Sequence, residues 1–193
     1  MKYLIITCGV IGTGKSTIAK ALAKRTGMKV ISSDYVRKSI VAGIPPETHR
    51  YEKFGEGIYS KEFSERTYLK MLELAKVQLT RNKSVILDGA FSKRWQRVKA
   101  YETAKETDAR FLCVEFICSK EELIKRLEKR ALSKRGVSNG RIEILAEHEA
   151  SFEKVSEFSE ELHIIIDTTC RKEDSVQSVL ARLNEKLKLK HCY

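Results

Sequence analysis

Proline is nearly absent. The 193 residues hold two, Pro45 and Pro46, standing side by side. Breakers this rare leave room for long uninterrupted elements on either side of them. Long apolar runs are missing too. None approaches the roughly 20 residues that cross a bilayer, so no membrane-spanning helix is expected. The first residues pass straight into a short apolar segment, without the pattern of a secretory leader, and the expected location is cytoplasmic. Cysteine is sparse and odd in number: Cys8, Cys113, Cys118, Cys170 and Cys192. No C-x-x-C occurs, so neither a disulfide framework nor a zinc site is expected. Cys8, Cys113 and Cys118 lie in apolar stretches and read as small core residues. His49, His148, His163 and His191 are scattered, without metal-ligand spacing. Internal repeats and low-complexity segments are also lacking.

Acidic residues are in deficit. Asp and Glu number 26 against 37 Lys and Arg, a net charge of +11. That excess suits a nucleic-acid partner. It equally suits an enzyme that handles ATP and an anionic partner, or helix faces that are simply solvated. Hydrophobic residues make up 42% and charged residues 33%, which together with the length points to one globular domain, residues 1–193, with a small lid.

What is present is organised around Gly9-Val10-Ile11-Gly12-Thr13-Gly14-Lys15-Ser16. It fits G-x-x-x-x-G-K-[ST] at every fixed position. Before it runs Tyr3-Leu4-Ile5-Ile6-Thr7-Cys8, apolar and rich in β-formers. After it, Ile18, Ala21, Leu22 and Arg25 fall at helical spacing. In this setting Gly9, Gly12 and Gly14 let backbone N–H groups close around phosphate oxygens. The following helix points its positive end at the same anion. Lys15 adds a point charge at the β- and γ-phosphates. The Ser16 hydroxyl is placed to ligate Mg2+. Thr13 and Thr17 complete the expected nucleotide contacts.

Strand-like runs near 3–8, 29–32, 84–88, 110–117 and 162–166 alternate with helical ones near 15–26, 36–41, 61–81, 93–106, 121–132, 142–153 and 173–187. That alternation is the pattern of a parallel sheet covered by helices, an α/β fold. Gly27 stands where the first helix should stop. In the helix over 61–81 the apolar face is expected to comprise Phe63, Thr67, Leu69, Leu72, Leu74, Val77 and Leu79. The long irregular segment, 42–60, holds both prolines with His49, Arg50, Tyr51, Lys53, Phe54 and Tyr59. It reads as an ordered wall on the acceptor side or as a plain surface connection.

Three further groups carry chemistry. Asp34 follows the carboxyl end of the second strand, the edge where ligands gather in open parallel sheets. It is placed to orient an acceptor hydroxyl and take its proton, or to cap the next helix. Arg37 lies one turn on and would hold an anion or steady Asp34. Asp88 closes the third strand, where an aspartate contacts Mg2+. Gly89 follows it rather than glutamate, and no N-K-x-D guanine signature occurs, which argues against a molecular motor or switch GTPase and for a transferase. Lastly, Lys125, Arg126, Lys129, Arg130, Lys134, Arg135 and Arg141 gather near 126–141. They read as a closing lid that brings arginines to the transferring phosphoryl group, or as a solvated helix face.

Carried by Gly9–Thr17, by Ser32-Ser33-Asp34-Tyr35-Val36-Arg37-Lys38, by Phe54-Gly55-Glu56-Gly57-Ile58-Tyr59-Ser60, by Val85-Ile86-Leu87-Asp88-Gly89-Ala90-Phe91 and by the arginine-rich 126–135, the chain resembles the P-loop kinases of the adenylate-kinase-like group. Within that group it is similar to the small kinases related to zeta toxins, gluconate kinases and chloramphenicol phosphotransferase, and to the P-loop kinase domain found fused to aminoglycoside-phosphotransferase-like domains. The resemblance extends to about Leu183. It implies a three-layer sandwich on a five-stranded parallel sheet of order 2-3-1-4-5, a catalytic aspartate at Asp34, lid arginines at Arg126 and Arg130, and an adenine pocket bordered by Asp167 and Thr168. The Asp34-x-x-Arg37 spacing also resembles that of bacteriophage polynucleotide 5'-hydroxyl kinase, where the pair serves as general base and acceptor-phosphate clamp. Asp88-Gly89-Ala90 departs from that enzyme's Asp-Thr-Asn. The expected activity is transfer of the γ-phosphate of ATP, with Mg2+, to a hydroxyl of a small molecule. The alternatives are a polynucleotide 5'-hydroxyl kinase and a regulatory module that hydrolyses ATP slowly, in either case a monomer or homodimer without membrane attachment.

Overall fold

The computed structural model describes residues 1–41, 55–133, 144–169 and 172–188. Its elements run β1 (Tyr3–Cys8), α1 (Lys15–Thr26), β2 (Lys29–Ser32), α2 (Ser33–Ile40), a 3-10 turn (Gly57–Tyr59), α3 (Lys61–Thr80), β3 (Val85–Asp88), α4 (Arg94–Glu106), β4 (Arg110–Ile117), α5 (Lys120–Ser133), α6 (Leu145–Ser151), β5 (His163–Asp167) and α7 (Lys172–Lys188). All strand pairs are parallel, and the order is β2-β3-β1-β4-β5, as the resemblance implied.

Burial follows position in the sheet. β1 is central, and all six of its residues are buried. A strand covered on both faces reads as a continuous apolar run, which Tyr3–Cys8 does. β5 lies at an edge, and its Ile165 stays exposed. On one face of the sheet Leu4, Ile6 and Cys8 pack with Tyr68, Met71 and Ala75 of α3 and with Ala100 and Ala104 of α4. On the other, Tyr3 and Ile5 pack with Ile18 and Leu22 of α1 and Val176 and Val179 of α7. The chain therefore leaves β1 toward one face and β3 toward the other. In open parallel sheets the carboxyl ends of two strands that diverge in this way border the ligand crevice.

Cys8 and Cys113 are buried as expected, whereas Cys118 is only partly covered. The expected face of α3 needs correction. Tyr68, Met71, Leu72, Ala75 and Leu79 are buried, while Leu69, Leu74 and Val77 are exposed. A stripe at 3.6-residue spacing through 68, 71/72, 75 and 79 leaves 69, 74 and 77 on the far side. α6 is shorter than the expected 142–153. It ends at Ser151 because Phe152 takes an extended conformation, and residues 142–143 lie outside the described residues.

Candidate phosphate-binding site

The loop between β1 and α1 sits at that crevice. Gly9 leaves the strand with φ +131°, and its N–H donates to Ala90 O at 3.1 Å. A Cβ there would collide with the Phe116 carbonyl oxygen. Gly12 and Gly14 also take left-handed φ values, 86° and 83°, open to glycine without strain. Gly14 is the residue before α1, so the helix presents its first free N–H groups to the loop. Thr13 Oγ1 donates to Val10 O at 2.8 Å across the turn. Thr17, expected among the nucleotide contacts, stands exposed in the first turn of α1.

Lys15 folds over this concavity. Its Nζ donates to Val10 O at 2.6 Å and to Thr13 Oγ1 at 3.3 Å. Burial lowers its pKa from the ordinary lysine value to about 8; Asp88 opposes the shift and Arg130 adds to it. Ser16 Oγ donates to Asp88 Oδ1 at 3.0 Å, joining the two residues expected to hold Mg2+. Burial raises the Asp88 carboxyl pKa, against the Ser16 hydrogen bond and the Lys15 charge. A hydroxyl and a carboxylate side by side are hard oxygen donors, and a buried carboxylate gains from a nearby cation. This pair fits Mg2+.

Asp34 lies in the first turn of α2 rather than at its cap, which is Ser32. Its negative charge is felt by Lys15, Asp88 and Tyr68, so the structure brings Asp34 to the same crevice. Arg37, expected to hold an anion or steady Asp34, is tethered through one nitrogen, while its buried Nε has no hydrogen-bond partner among the described residues. It is buried, donates from Nη1 to Ile58 O at 2.6 Å and to Ser64 Oγ at 3.1 Å, and lies 4.8 Å over the Tyr59 ring. It pins the 3-10 turn to α3.

Arg126 on α5 donates from Nε to Glu122 at 2.9 Å and from both Nη atoms to Thr168. Thr168 Oγ1 in turn donates to Thr13 O at 2.8 Å. Arg126 and Thr168 thus brace the back of the loop together. Asp167 stands exposed at the end of β5 and accepts the Thr169 N–H at 2.8 Å; hydrogen bonding from Thr169 chiefly lowers its pKa. Arg130 lies close enough to Lys15 to shift it. Lys134, Arg135 and Arg141, together with His49, Arg50, Tyr51, Lys53 and Phe54, lie outside the described residues.

Several residues around the loop escaped the sequence reading. Thr7 Oγ1 donates to Gly89 O at 2.9 Å and accepts the Gly89 N–H at 3.0 Å, locking the segment after β3 to β1. A Cβ at Gly89 would lie 3.2 Å from Tyr68 Oη and 3.3 Å from Ser33 Cβ, so any side chain there would require both neighbours to give way by a few tenths of an ångström. Tyr68 accepts the Phe91 N–H at 3.2 Å, and burial pushes its hydroxyl up to about 12. Tyr68→Phe should leave that buried N–H unpaired and cost about 1–2 kcal/mol in urea unfolding, with the nucleotide contacts intact. Arg97, fully buried on α4, pairs with Glu157 and donates to Phe91 O at 2.9 Å and Glu153 O at 3.0 Å. His148 on α6 accepts the Ile11 N–H at 3.4 Å through Nδ1. None of these has a local signature, because most of the partners lie far away along the chain.

A family model described as an AAA domain matches residues 4–155. An uncharacterized protein of Mycobacterium tuberculosis (strain ATCC 25618 / H37Rv) is 34% identical over 121 residues, which is 60% of this chain and 23% of that protein. The match therefore takes in less than a quarter of the length of the curated relatives. Among solved structures, a gluconokinase from Sinorhizobium meliloti 1021 superposes with a TM-score of 0.64 at 20% identity, covering 97% of each chain. A sugar kinase from Janibacter sp. HTCC2649 gives 0.67 at 19%, covering 95% of each. The APS kinase CysC of Mycobacterium tuberculosis, in complex with AMPPNP and APS, gives 0.63 at 13%, covering 95% of this chain and 98% of its own. At these identities the likeness is one of fold.

Proposed function

The chain belongs to the family described as an AAA domain and has the fold of the small P-loop kinases; on that premise we propose that it moves the γ-phosphate of ATP to a hydroxyl of a small-molecule acceptor. The observation that carries the reading is electrostatic. Lys15, the Ser16–Asp88 pair and Asp34 act on one another across a single crevice. That is the inventory phosphoryl transfer needs: a cation for the phosphates, oxygen donors for a metal, and one carboxylate for the acceptor.

In this reading Ser16 and Asp88 hold Mg2+, which when bound neutralises phosphate charge. Lys15 exchanges its hold on Val10 O for phosphate oxygens and withdraws charge from the terminal phosphoryl group. Asp34 accepts the proton of the acceptor hydroxyl as the new O–P bond forms, while the bond to the β-phosphate oxygen breaks and ADP leaves with its electron pair. Arg130 adds positive charge beside Lys15. Arg126 contributes by bracing Thr168 and the loop. Residues 1–193 act as one domain in this proposal.

A small-molecule acceptor is favoured over a polynucleotide by Arg37. At the clamp position of a 5'-hydroxyl kinase, Nη1 of this buried arginine is committed to Ile58 O and Ser64, which supports an acceptor that needs no second phosphate held there. The test is an acceptor screen with γ-labelled ATP and Mg2+ over sugars, sugar acids, nucleosides, aminoglycosides and 5'-hydroxyl oligonucleotides. We expect label on a small molecule, reduced about 10²- to 10⁴-fold by Asp34→Asn. Label on the oligonucleotide would put the polynucleotide reading first. Slow phosphate release alone, indifferent to Asp34→Asn, would leave a regulatory nucleotide module.

A further inference from the structure

His148 has no part in the mechanism above, yet it touches the loop. Leu145, one turn earlier on α6, is buried with Leu123 and Leu127 of α5, and Val10 and Ile11 of the loop pack on the same cluster. The other end of α6 is held as well. Ser151 O accepts from Lys93 Nζ at 2.9 Å, and the Glu153 N–H donates to Ser92 O at 2.8 Å. α6 is thus fixed between the outer wall of the loop and the segment after β3. This seat sets the His148 ring against the Ile11 amide, where Nδ1 accepts the N–H at 3.4 Å.

Loop N–H groups of this kind are the donors a phosphate seeks. An imidazole nitrogen that accepts one stands in the place of a phosphate oxygen. To do so, Nδ1 must carry no proton. The surroundings favour that form: burial first, then the Lys15 charge, push the imidazole down to about 4. The charged groups on the elements around it are Lys15 on the loop side, Arg130 of α5 in the field of Lys15, Lys93 at the end of α6, and the exposed Glu147 and Glu149 of α6 itself. A bound nucleoside triphosphate would change both conditions. Its terminal phosphate would take the Ile11 N–H and offset the charge of Lys15.

We propose that His148 is a ligand of the terminal phosphate held in reserve: it accepts the Ile11 amide while no triphosphate is bound, and when one binds it takes a proton from solvent at Nδ1 and donates it as a hydrogen bond to the terminal phosphate. The proton returns to solvent once the terminal phosphoryl group has been transferred, so the diphosphate complex holds a neutral imidazole. This rests on the nucleotide-site reading above and adds to it a residue that tells triphosphate from diphosphate.

The test is calorimetric titration with MgATP and MgADP near pH 6.5, in buffers of differing ionisation enthalpy, on wild type and His148→Gln. The glutamine can still accept the amide but cannot titrate. For each ATP bound, wild type should take up more protons than His148→Gln, by roughly half a proton or more, and the two proteins should match for ADP. If the bound imidazole titrates near 7, ATP affinity should fall about tenfold from pH 6 to pH 8 in wild type relative to His148→Gln. Ring nitrogen resonances of His148 in wild type supply a readout free of any substitution, and they should report an imidazolium only in the triphosphate complex. ATP binding with equal proton counts in both proteins, or equal weakening of ATP and ADP, would overturn the role of His148 and leave the site reading intact. Failure of wild type to bind ATP at all would overturn both.

Discussion

Lys15→Met should reduce phosphoryl transfer at least about 10³-fold without unfolding the protein, because a charge directed at the transferring group is lost while an apolar side chain fits a half-buried position. The stability side of this expectation has a sign that separates it from general damage. The Lys15 pKa is lowered to about 8, chiefly by burial. Between that value and the ordinary lysine value the unfolded chain binds more protons than the folded one, so stability rises with pH across this window. Below it, the folded state carries the full cost of a buried ammonium. Removing the charge lifts that cost, at most about 3 kcal/mol, and forfeits the hydrogen bonds to Val10 O and Thr13 Oγ1, worth about 1 kcal/mol each. Denaturant unfolding of Lys15→Met near pH 7 should therefore show stability equal to or above wild type, and the rise from about pH 8 to the ordinary lysine pKa should flatten. Loss of both activity and stability in Lys15→Met would show that Lys15 supports the loop rather than the reaction.

Arg97→Met should be the most destabilising of these changes, about 3–5 kcal/mol, read as a drop of roughly 10 °C in midpoint. The guanidinium is fully buried, and so is its partner Glu157. Methionine would leave an uncompensated carboxylate and would strip donors from Phe91 O and Glu153 O. A double substitution, Arg97→Met with Glu157→Leu, should recover the carboxylate's share only, since the Arg97 hydrogen bonds to Phe91 O and Glu153 O stay lost. Burial alone would raise the Glu157 carboxyl pKa, but the Arg97 hydrogen bond and the Ser156 N–H outweigh it and hold it below the usual carboxylate value. The stabilisation is thus present above the unfolded carboxylate pKa and lost as pH falls through the folded one. In Arg97→Met the acid limb should begin from a lower plateau and be shallower. Because Phe91 follows Ala90, whose carbonyl takes the Gly9 N–H, weaker nucleotide binding should accompany the loss. Unfolding curves that superpose on wild type would sink this account.

The framework was readable because its signals are local. Strand β1 declares itself by a continuous apolar run, and the loop by three glycines, a lysine and a serine at fixed spacing. Asp88 and Ser16 were each legible as an expected Mg2+ contact from their positions after β3 and in the loop, and the fold brings them into a hydrogen bond. The arginines expected in a lid were less readable. Helical spacing puts Arg126 and Arg130 on one stripe of α5, but nothing within the helix states that Arg126 ends on Thr168 while Arg130 reaches the field of Lys15. Arg37 illustrates the same limit. Its spacing from Asp34 suggested an anion clamp, and the return of the chain through Gly57–Tyr59 and α3 adds a tether from Nη1 that nothing near Asp34 announced. The apolar face expected on α3 held at Thr67, Leu72 and Leu79 and missed at 69, 74 and 77, because leucine and valine there weigh as much in composition as the residues that are buried.

By itself, then, the sequence determined the α/β alternation, the loop and the residue types able to handle phosphate, since backbone conformation and hydrophobic periodicity act over a few residues. Tertiary structure alone decided which of those groups share an electric field and which are tied elsewhere. It set Arg97 against Glu157 across 60 positions, His148 against Ile11 across 137 and Thr168 against Thr13 across 155. Burial and charge act through space, and the parallel sheet brings the carboxyl ends of its strands to one edge from segments remote in the chain.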